Sequence, residues 1–451
     1  MPTPFDTYIT SIEKDIKGGK ATEYTYRSAL ETLMESMARG IAASNDPKHI
    51  ECGAPDFIVE KGKVPLGYVE TKDVGVDLNK IEKSDQMKRY LTALNNLVLT
   101  DYLEFRWYVN GEKKLTFRIA DIGTKGKLTI QSQAEENITN LFRDFYATET
   151  PTVSTPKDLA SRLAGVTHFI RDRITDALQG GDESIQKALQ ARYNAFRELL
   201  LPALKPEEFA DLYAQAMTYG LFAAKLSAPE GDKFSLTTAY QYLFGNKFLR
   251  RLFSDVSEEL DEIDIIRPYL LDIVSLLNRA DFVSILADFG KRTRTEDPVV
   301  HFYETFLAAY DPKLRESRGV YYTPEPVVQF IVRSVDELLK TRFGKSWGLA
   351  DSSVKVLDPA TGTGTFLYYV IQQIHEEVVT NRKQAGQWAT KSKELLSRIF
   401  GFELLIAPYV VSHLKLGLLL KTLGAPLTGK DDRLHVFLTN TLEEGLTRAE
   451  Q

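Results

Sequence analysis

The stretch Val354-Lys355-Val356-Leu357-Asp358-Pro359-Ala360-Thr361-Gly362-Thr363-Gly364-Thr365-Phe366 constrains the fold of this chain more than any other. A short β-rich run ends in an acidic residue, glycines follow at 362 and 364, and a helical pattern then begins. A strand-to-helix turn of this kind needs glycine where the backbone takes conformations costly for other residues, or where it must approach a ligand closely. The spacing is not the Gly-x-Gly-x-x-Gly of a dinucleotide-binding turn. Around it the pattern alternates. A helix is expected over Pro326–Lys340, then the strand Val354–Leu357, a helix, a strand over Ile399–Phe402, another helix and a strand over Val436–Leu438. Helix-length connections join parallel strands, whereas antiparallel neighbours need only a tight turn. The pattern predicts a Rossmann-like parallel sheet within an α/β multidomain chain.

At 451 residues the chain is too long for one module, and a prior of about 150 residues per domain gives two to four. With 43% hydrophobic and 26% charged residues it is neither a disordered nor a collagen-like sequence. One cysteine, Cys52, and six scattered histidines exclude an intrachain disulfide and a Cys-rich zinc site. The N-terminus lacks a basic and apolar leader, and no run of 18 apolar residues occurs, so a cytoplasmic protein with no membrane partner is expected. A net charge of -6 means that any nucleic-acid contact must come from a local basic surface.

Three regions emerge. Residues 1–147 mix helix and strand signals, with strands at Phe57–Val59, Gly67–Glu70 and Asn96–Thr100 and a hairpin around Gly111. The polar segment Thr148–Pro156, with two prolines, reads as a linker. Residues 157–310 carry apolar positions at helical spacing, as in Leu159, Leu163, Val166 and Phe169, and predict an all-helical connector. Residues 311–451 hold the parallel sheet. In the connector, Arg171, Arg173, Arg192 and Arg197 could face DNA, although solvated helix faces carry such arginines by default.

Two acidic positions in the first region are spaced for metal chemistry. Asp56 opens the strand Phe57–Val59, and Glu70-Thr71-Lys72 closes the next one. Residues two apart on a strand share a face, so Glu70 and Lys72 point the same way. Carboxylates converging from adjacent strands suit magnesium, and a lysine beside them can orient or activate water. Gln86 and Tyr90 are four apart on a following helix and share a face, placed to touch a phosphate or base. Glu31, on an upstream helix, could add a third metal-facing carboxylate. The alternative is a solvated cross-strand pair. Together with Thr22–Glu31, these motifs resemble the PD-(D/E)xK nucleases at the N-terminus of single-chain restriction–modification enzymes of the type IIG, IIL and ISP kinds. The resemblance implies an endonuclease with Asp56, Glu70, Lys72, Gln86 and Tyr90 in catalysis and magnesium on Asp56, Glu70 and Glu31.

The segment Asp358–Phe366 resembles motif I of the S-adenosylmethionine (AdoMet)-dependent amino-methyltransferases of DNA. Further matches follow the order of their gamma class. Gly319–Pro324 is similar to the N-terminal AdoMet-contacting motif, which implies cofactor contacts from Tyr322, Thr323 and Pro324. The motif-I resemblance implies contacts from Asp358, Pro359, Ala360, Gly362, Gly364 and Phe366, with Phe366 equally readable as core. Glu403, closing the second strand, would accept the ribose hydroxyls, and Asn440, after the third, would lie by the adenine ring.

That family methylates through an Asn/Asp-Pro-Pro-Tyr/Phe loop that grips a flipped base, and no such tetrapeptide occurs in these 451 residues. The expectation is the front part of a longer enzyme, with the methyltransferase domain incomplete. Nor is there a phosphate-binding Gly-x-x-x-x-Gly-Lys-Ser/Thr. The resemblance implies a bifunctional enzyme acting on double-stranded DNA, cutting phosphodiesters and methylating the adenine amino group, with room for a second protomer in double-strand cleavage. A non-catalytic AdoMet-binding scaffold or sensor, and a small-molecule methyltransferase with an unrelated N-terminal domain, are the competing readings.

Overall fold

The computed structural model describes residues 2–19, 23–45, 55–62, 64–149, 152–180, 183–199, 204–229, 231–243, 247–258, 265–285, 298–311, 323–427 and 432–441. In chain order the elements are α1 (Pro4–Gly18), α2 (Glu23–Met37), β1 (Ile41–Asn45), β2 (Phe57–Lys61), β3 (Val64–Thr71), α3 (Leu78–Glu82), α4 (Asp85–Ala93), β4 (Asn96–Thr100), β5 (Glu104–Val109), β6 (Glu112–Arg118), β7 (Ala120–Ile122), β8 (Leu128–Ile130), α5 (Ala134–Ala147) and α6 (Pro156–Gly180). There follow α7 (Glu183–Leu199), α8 (Pro206–Ser227), α9 (Lys247–Glu258), α10 (Arg267–Arg279), α11 (Pro298–Tyr310), α12 (Glu325–Arg342), β9 (Val356–Asp358), α13 (Thr365–His375), α14 (Trp388–Leu396), β10 (Ile399–Glu403), α15 (Ile406–Thr422) and β11 (His435–Leu438). Among the described residues no helix is long and apolar enough to cross a membrane. The chain folds as two compact units. One comprises Met1–Ser154, Asp158–Asp182 and Asp264–Asp281, the other Thr155–Lys157, Glu183–Ile263 and Phe282–Gln451. The helices between 157 and 310 are thus shared between the two.

The first unit is built on a six-stranded sheet in the order β1-β2-β3-β4-β5-β6. Only β3 and β4 run parallel, and the helices α3 and α4 make the crossover between them. The β5–β6 hairpin turns on Asn110 and Gly111, both with positive φ (55° and 75°), the pairing that matches the right-handed twist of the flanking strands. Alternation sorts the strands' side chains. Phe57, Val59, Val69, Val98 and Phe105 point into a core with Leu30 and Met34 of α2, Ile12 of α1, and Phe142 and Phe145 of α5. Each such fully buried side chain contributes about 2 kcal/mol.

The opposite face carries Tyr68 and Glu70, the alternate residues of β3. Helices α4, α6 and α10 lie on this side. Ser84 starts α4 by accepting the Met87 N–H at 3.1 Å. Gly165 of α6 lets the two helices close up, since a side chain there would meet the Ala93 Cβ at 2.4 Å. Phe169, one turn on, packs against Tyr90 with ring centroids 5.7 Å apart. The segment read as a linker is tied down by α10: Val153 forms a parallel bridge to Ala280, and Glu149 pairs with Arg279 at 2.5 Å.

The second unit holds a three-stranded parallel sheet in the order β11-β10-β9. The crossovers β9–α13–α14–β10 and β10–α15–β11 place helices where the alternation predicts them. Ile399, Gly401 and Glu403 of β10 and Val436 of β11 are buried on one face, while Leu357 (52% exposed), Phe400, Phe402, His435 and Phe437 (37%) lie on the other. Helix α12 adds exposed Val327, Ile331, Val335 and Leu338, at helical spacing.

Candidate functional site

The pairing of β2 with β3 sets Phe57 opposite Val69, and Asp56, the residue before β2, reaches the end of β3 at Thr71, next to Glu70. Asp56 is clamped. Its Oδ1 accepts from the Arg27 guanidinium, and its Oδ2 accepts both the Thr71 N–H (2.7 Å) and the Thr71 hydroxyl (2.8 Å). Arg27 is itself buried and also donates to the Asn45 side chain at 3.2 Å. Glu70 is buried, and the Lys72 ammonium lies 2.5 Å from its Oε1. This is therefore not a solvated surface pair. Glu70 is buried and Asp56 half-buried, and a carboxylate withdrawn from water is stabilised by a paired cation, which Arg27 supplies to Asp56 and Lys72 to Glu70.

Tyr90 is fully buried, and the Gln86 amide donates to its hydroxyl at 2.9 Å. Burial pushes the phenol far above its ordinary value, and the charges of Glu70 and Asp56 add to the rise while the Gln86 bond opposes it. The structure thus gathers Asp56, Glu70, Lys72, Gln86 and Tyr90 at one place. Glu31 lies one turn beyond Arg27 on α2, and burial, then the charge of Glu35, raise its carboxyl. Among the described residues no three Asp, Glu, His or Cys side chains converge as a metal cluster. Magnesium commonly keeps several waters and uses one or two carboxylates, so the donor chemistry of Asp56 and Glu70 fits that ion without a third.

Arg27 and Thr71, which hold Asp56, escape a reading from spacing. Their signals are faint: Arg27 precedes Glu31 by one helical turn, and Thr71 sits between Glu70 and Lys72. Asp272 of α10 is also unheralded. It accepts a hydrogen bond from the Tyr68 hydroxyl, and burial pushes its carboxyl up to about 7 from 3.8, with the charge of Glu60 in the same direction and the Tyr68 bond opposing. The unfolded chain ionises near 3.8, so between pH 4 and 7 it gives up a proton that the folded protein keeps, and stability falls across that window. Asp272→Asn, which retains the acceptor, is expected to raise the melting temperature at pH 8 and leave it nearly unchanged at pH 4. The gain is on the order of 4 kcal/mol at most. Equal stabilisation at both pH values would contradict a buried acid at this position.

In the second unit the motif turn lies at the C-terminal end of the sheet, where open α/β sheets bind ligands. Gly362 and Gly364 both have positive φ (56° and 81°), and Gly364 begins α13. A side chain at Gly364 would press on Ser412 of α15 at 3.1 Å, so this glycine serves helix packing. One at Gly362 would project into open space. The Gly362 N–H donates to Glu403 Oε2 at 2.7 Å, and the Leu405 N–H to Oε1 at 2.8 Å. Each oxygen keeps a second acceptor position. The Ala360 N–H donates to Asp358 Oδ1 at 3.2 Å, while Asp358 Oδ2 and the Thr363 hydroxyl are buried with no hydrogen-bond partner among the described residues. Burial raises the Asp358 carboxyl, against that Ala360 bond. Orphaned buried polar atoms beside an open glycine cradle fit a polar ligand such as AdoMet.

Asn440 is drawn to the same edge. Its neighbour Thr439 donates its N–H to the Glu403 carbonyl at 2.8 Å, and the Thr441 hydroxyl donates to the Pro359 carbonyl at 2.6 Å. Phe366 is half-buried, and Pro359 and Ala360 are exposed. Thr323 and Pro324 are exposed at the start of α12, whose Glu325 and Gln329 reach Tyr369 of α13; burial first, then these contacts, leave that phenol at about 12. Tyr322 and Gly319–Tyr321 lie outside the described residues. Lys415 was not foreseen: this buried residue of α15 places its ammonium 3.2 Å from the Thr365 hydroxyl and 4.9 Å from the Tyr368 ring centroid.

The arginines of the middle region have separate surroundings. Arg171 pairs with Asp172 at 2.7 Å, Arg173 is buried, and Arg197 lies over the Tyr193 ring at 5.5 Å.

Comparison with curated proteins gave no match. Among solved structures, the chain is similar to the DrdV–DNA complex determined by cryo-EM, at 20% identity and a TM-score of 0.41, over 99% of this chain and 42% of that one. A nuclease-deletion mutant of the type ISP restriction–modification enzyme LlaGI, bound to a DNA substrate mimic, gives 19% and 0.43 over 69% of this chain and 23% of that one. The type IIG restriction endonuclease BpuSI gives 12% and 0.29 over 98% and 43%. The chain spans less than half the length of each of these proteins. Residues 294–445 match the family model described as N-6 DNA Methylase.

Proposed function

We propose that this chain carries the elements of a bifunctional restriction–modification enzyme, a PD-(D/E)xK endonuclease followed by an AdoMet-dependent adenine amino-methyltransferase, acting on double-stranded DNA. The observation that carries the nuclease half is the bonding of Asp56 to Thr71, between Glu70 and Lys72, with Lys72 against Glu70 and the charges of Asp56 and Glu70 both acting on Tyr90. Magnesium on Asp56 and Glu70 would supply Lewis-acid stabilisation of the phosphodiester's developing charge. Lys72 would orient the attacking water and Gln86 would hold the scissile phosphate or its neighbouring base, while Tyr90, which is fully buried and cannot touch DNA, fixes the Gln86 amide through its hydroxyl. Arg27 and Thr71 keep the Asp56 carboxylate aimed.

For the second half, the N-6 DNA methylase match and the cradle formed by Asp358, Gly362, Thr363 and Glu403 support AdoMet binding. Glu403 would accept the ribose hydroxyls through its second acceptor positions, and Asn440 would contact the adenine. The test is twofold: nicking of plasmid DNA with and without magnesium, and calorimetric titration of AdoMet. Glu403→Ala is expected to weaken AdoMet binding about 100-fold, the loss of charge-assisted bonds to a diol. Equal affinity of variant and wild type would remove Glu403 from that role, and a wild type that neither nicks DNA nor binds AdoMet would overturn the reading.

A further inference from the structure

The face of β3 that bears Tyr68, Glu70 and Lys72 is closed by helices far along the chain. Tyr68 is buried, its ring stacked on Tyr269 of α10 (centroids 6.1 Å apart, planes 7° apart) and its hydroxyl donated to Asp272, one turn further along that helix. Tyr269 in turn packs on Phe169 of α6 at 5.8 Å, and Phe169 on Tyr90 at 5.7 Å. Four rings therefore run in a row from Tyr68 to Tyr90. Asp272 anchors one end and Gln86 holds the other, at the hydroxyl that feels the charges of Glu70 and Asp56. Close-packed rings transmit a displacement instead of absorbing it, because interiors have little free volume.

We propose that Asp272 is a positioning residue for cleavage at Asp56, Glu70 and Lys72, holding through Tyr68 the row of rings that sets the Tyr90 hydroxyl against Glu70. The inference rests on the nuclease reading of that site. A geometry that is off by about 1 Å can cost 100-fold in rate, so the anchor of the row matters to a step it does not touch.

The test uses the whole chain and two readouts: manganese(II) binding by calorimetry without DNA, and magnesium-dependent plasmid nicking. Asp272→Ala and Tyr68→Phe are each expected to raise the manganese Kd about fivefold and lower kcat about tenfold with KM for plasmid unchanged. Asp272→Asn, which still offers an acceptor to Tyr68, should stay within about twofold of wild type. Reversible unfolding raises the apparent Kd by the inverse of the folded fraction, so a fivefold rise in a variant that circular dichroism shows to be folded reports positioning and not stability. If Asp272→Ala fails to fold, Tyr68→Phe, which keeps the ring stack, decides. Wild-type affinity and rate in Tyr68→Phe would overturn the role of Asp272 while the nuclease reading stands. A wild type that neither binds manganese nor nicks DNA would overturn both.

Discussion

Replacing Glu70 by alanine is expected to abolish magnesium-dependent nicking of plasmid DNA, a fall of at least about 1000-fold, or about 4 kcal/mol of transition-state stabilisation. Glu70 is buried beside Thr71, which holds Asp56, so its loss removes one of two carboxylates that fit the ion. It also leaves Lys72 without the partner now 2.5 Å away. Glu70→Gln, which preserves shape, should fall nearly as far, because an amide is a poor substitute for a carboxylate on magnesium. Lys72→Ala should lose rate while leaving metal affinity largely intact, since the lysine acts on water and not on the ion. Plasmid nicking and manganese calorimetry on the three variants separate these effects. Undiminished cleavage by both Glu70→Ala and Lys72→Ala would remove the site.

Methyl transfer to unmethylated DNA by residues 1–451 is expected to be undetectable, whereas a chain extended through an Asn/Asp-Pro-Pro-Tyr/Phe loop and a recognition domain should methylate adenine. The acceptor nitrogen must be held in line with the sulfonium, and misplacement by about 1 Å already costs 100-fold. Asp358, Gly362, Thr363 and Glu403 can serve the cofactor, but none offers the amide and aromatic that grip an extruded base. Transfer of radiolabelled methyl groups from AdoMet to unmethylated DNA is the measurement. Robust transfer by the chain as it stands would mean that other residues hold the acceptor.

The local elements of both units were legible in the sequence. Alternating apolar residues marked the strands at Phe57, Gly67 and Asn96, and Asn110-Gly111 marked the hairpin, because turn geometry and strand period are set by neighbours within a few residues. The motif turn at Asp358–Phe366 was legible for the same reason: positive φ at 362 and 364 demands glycine locally. Spacing also indicated that Glu70 and Lys72 share a face. It did not reveal β1, nor the tie between Val153 and Ala280 that fastens the segment read as a linker.

What only the tertiary structure decided are contacts between residues distant in sequence. Arg27 reaches Asp56, Asp272 reaches Tyr68, and Lys415 reaches Thr365, each across an interval where periodicity carries no signal. The middle helices show the same limit. Their apolar spacing announces a buried stripe on α6 and α10 but not which surface covers it, and packing gives both to the six-stranded sheet unit, while α7, α8, α9 and α11 belong with the parallel sheet. A helix's hydrophobic stripe fixes that it must be covered, because burial is non-directional; the partner is selected by shape and by buried polar groups such as Asp272 and Tyr68, which bond only where the two surfaces meet.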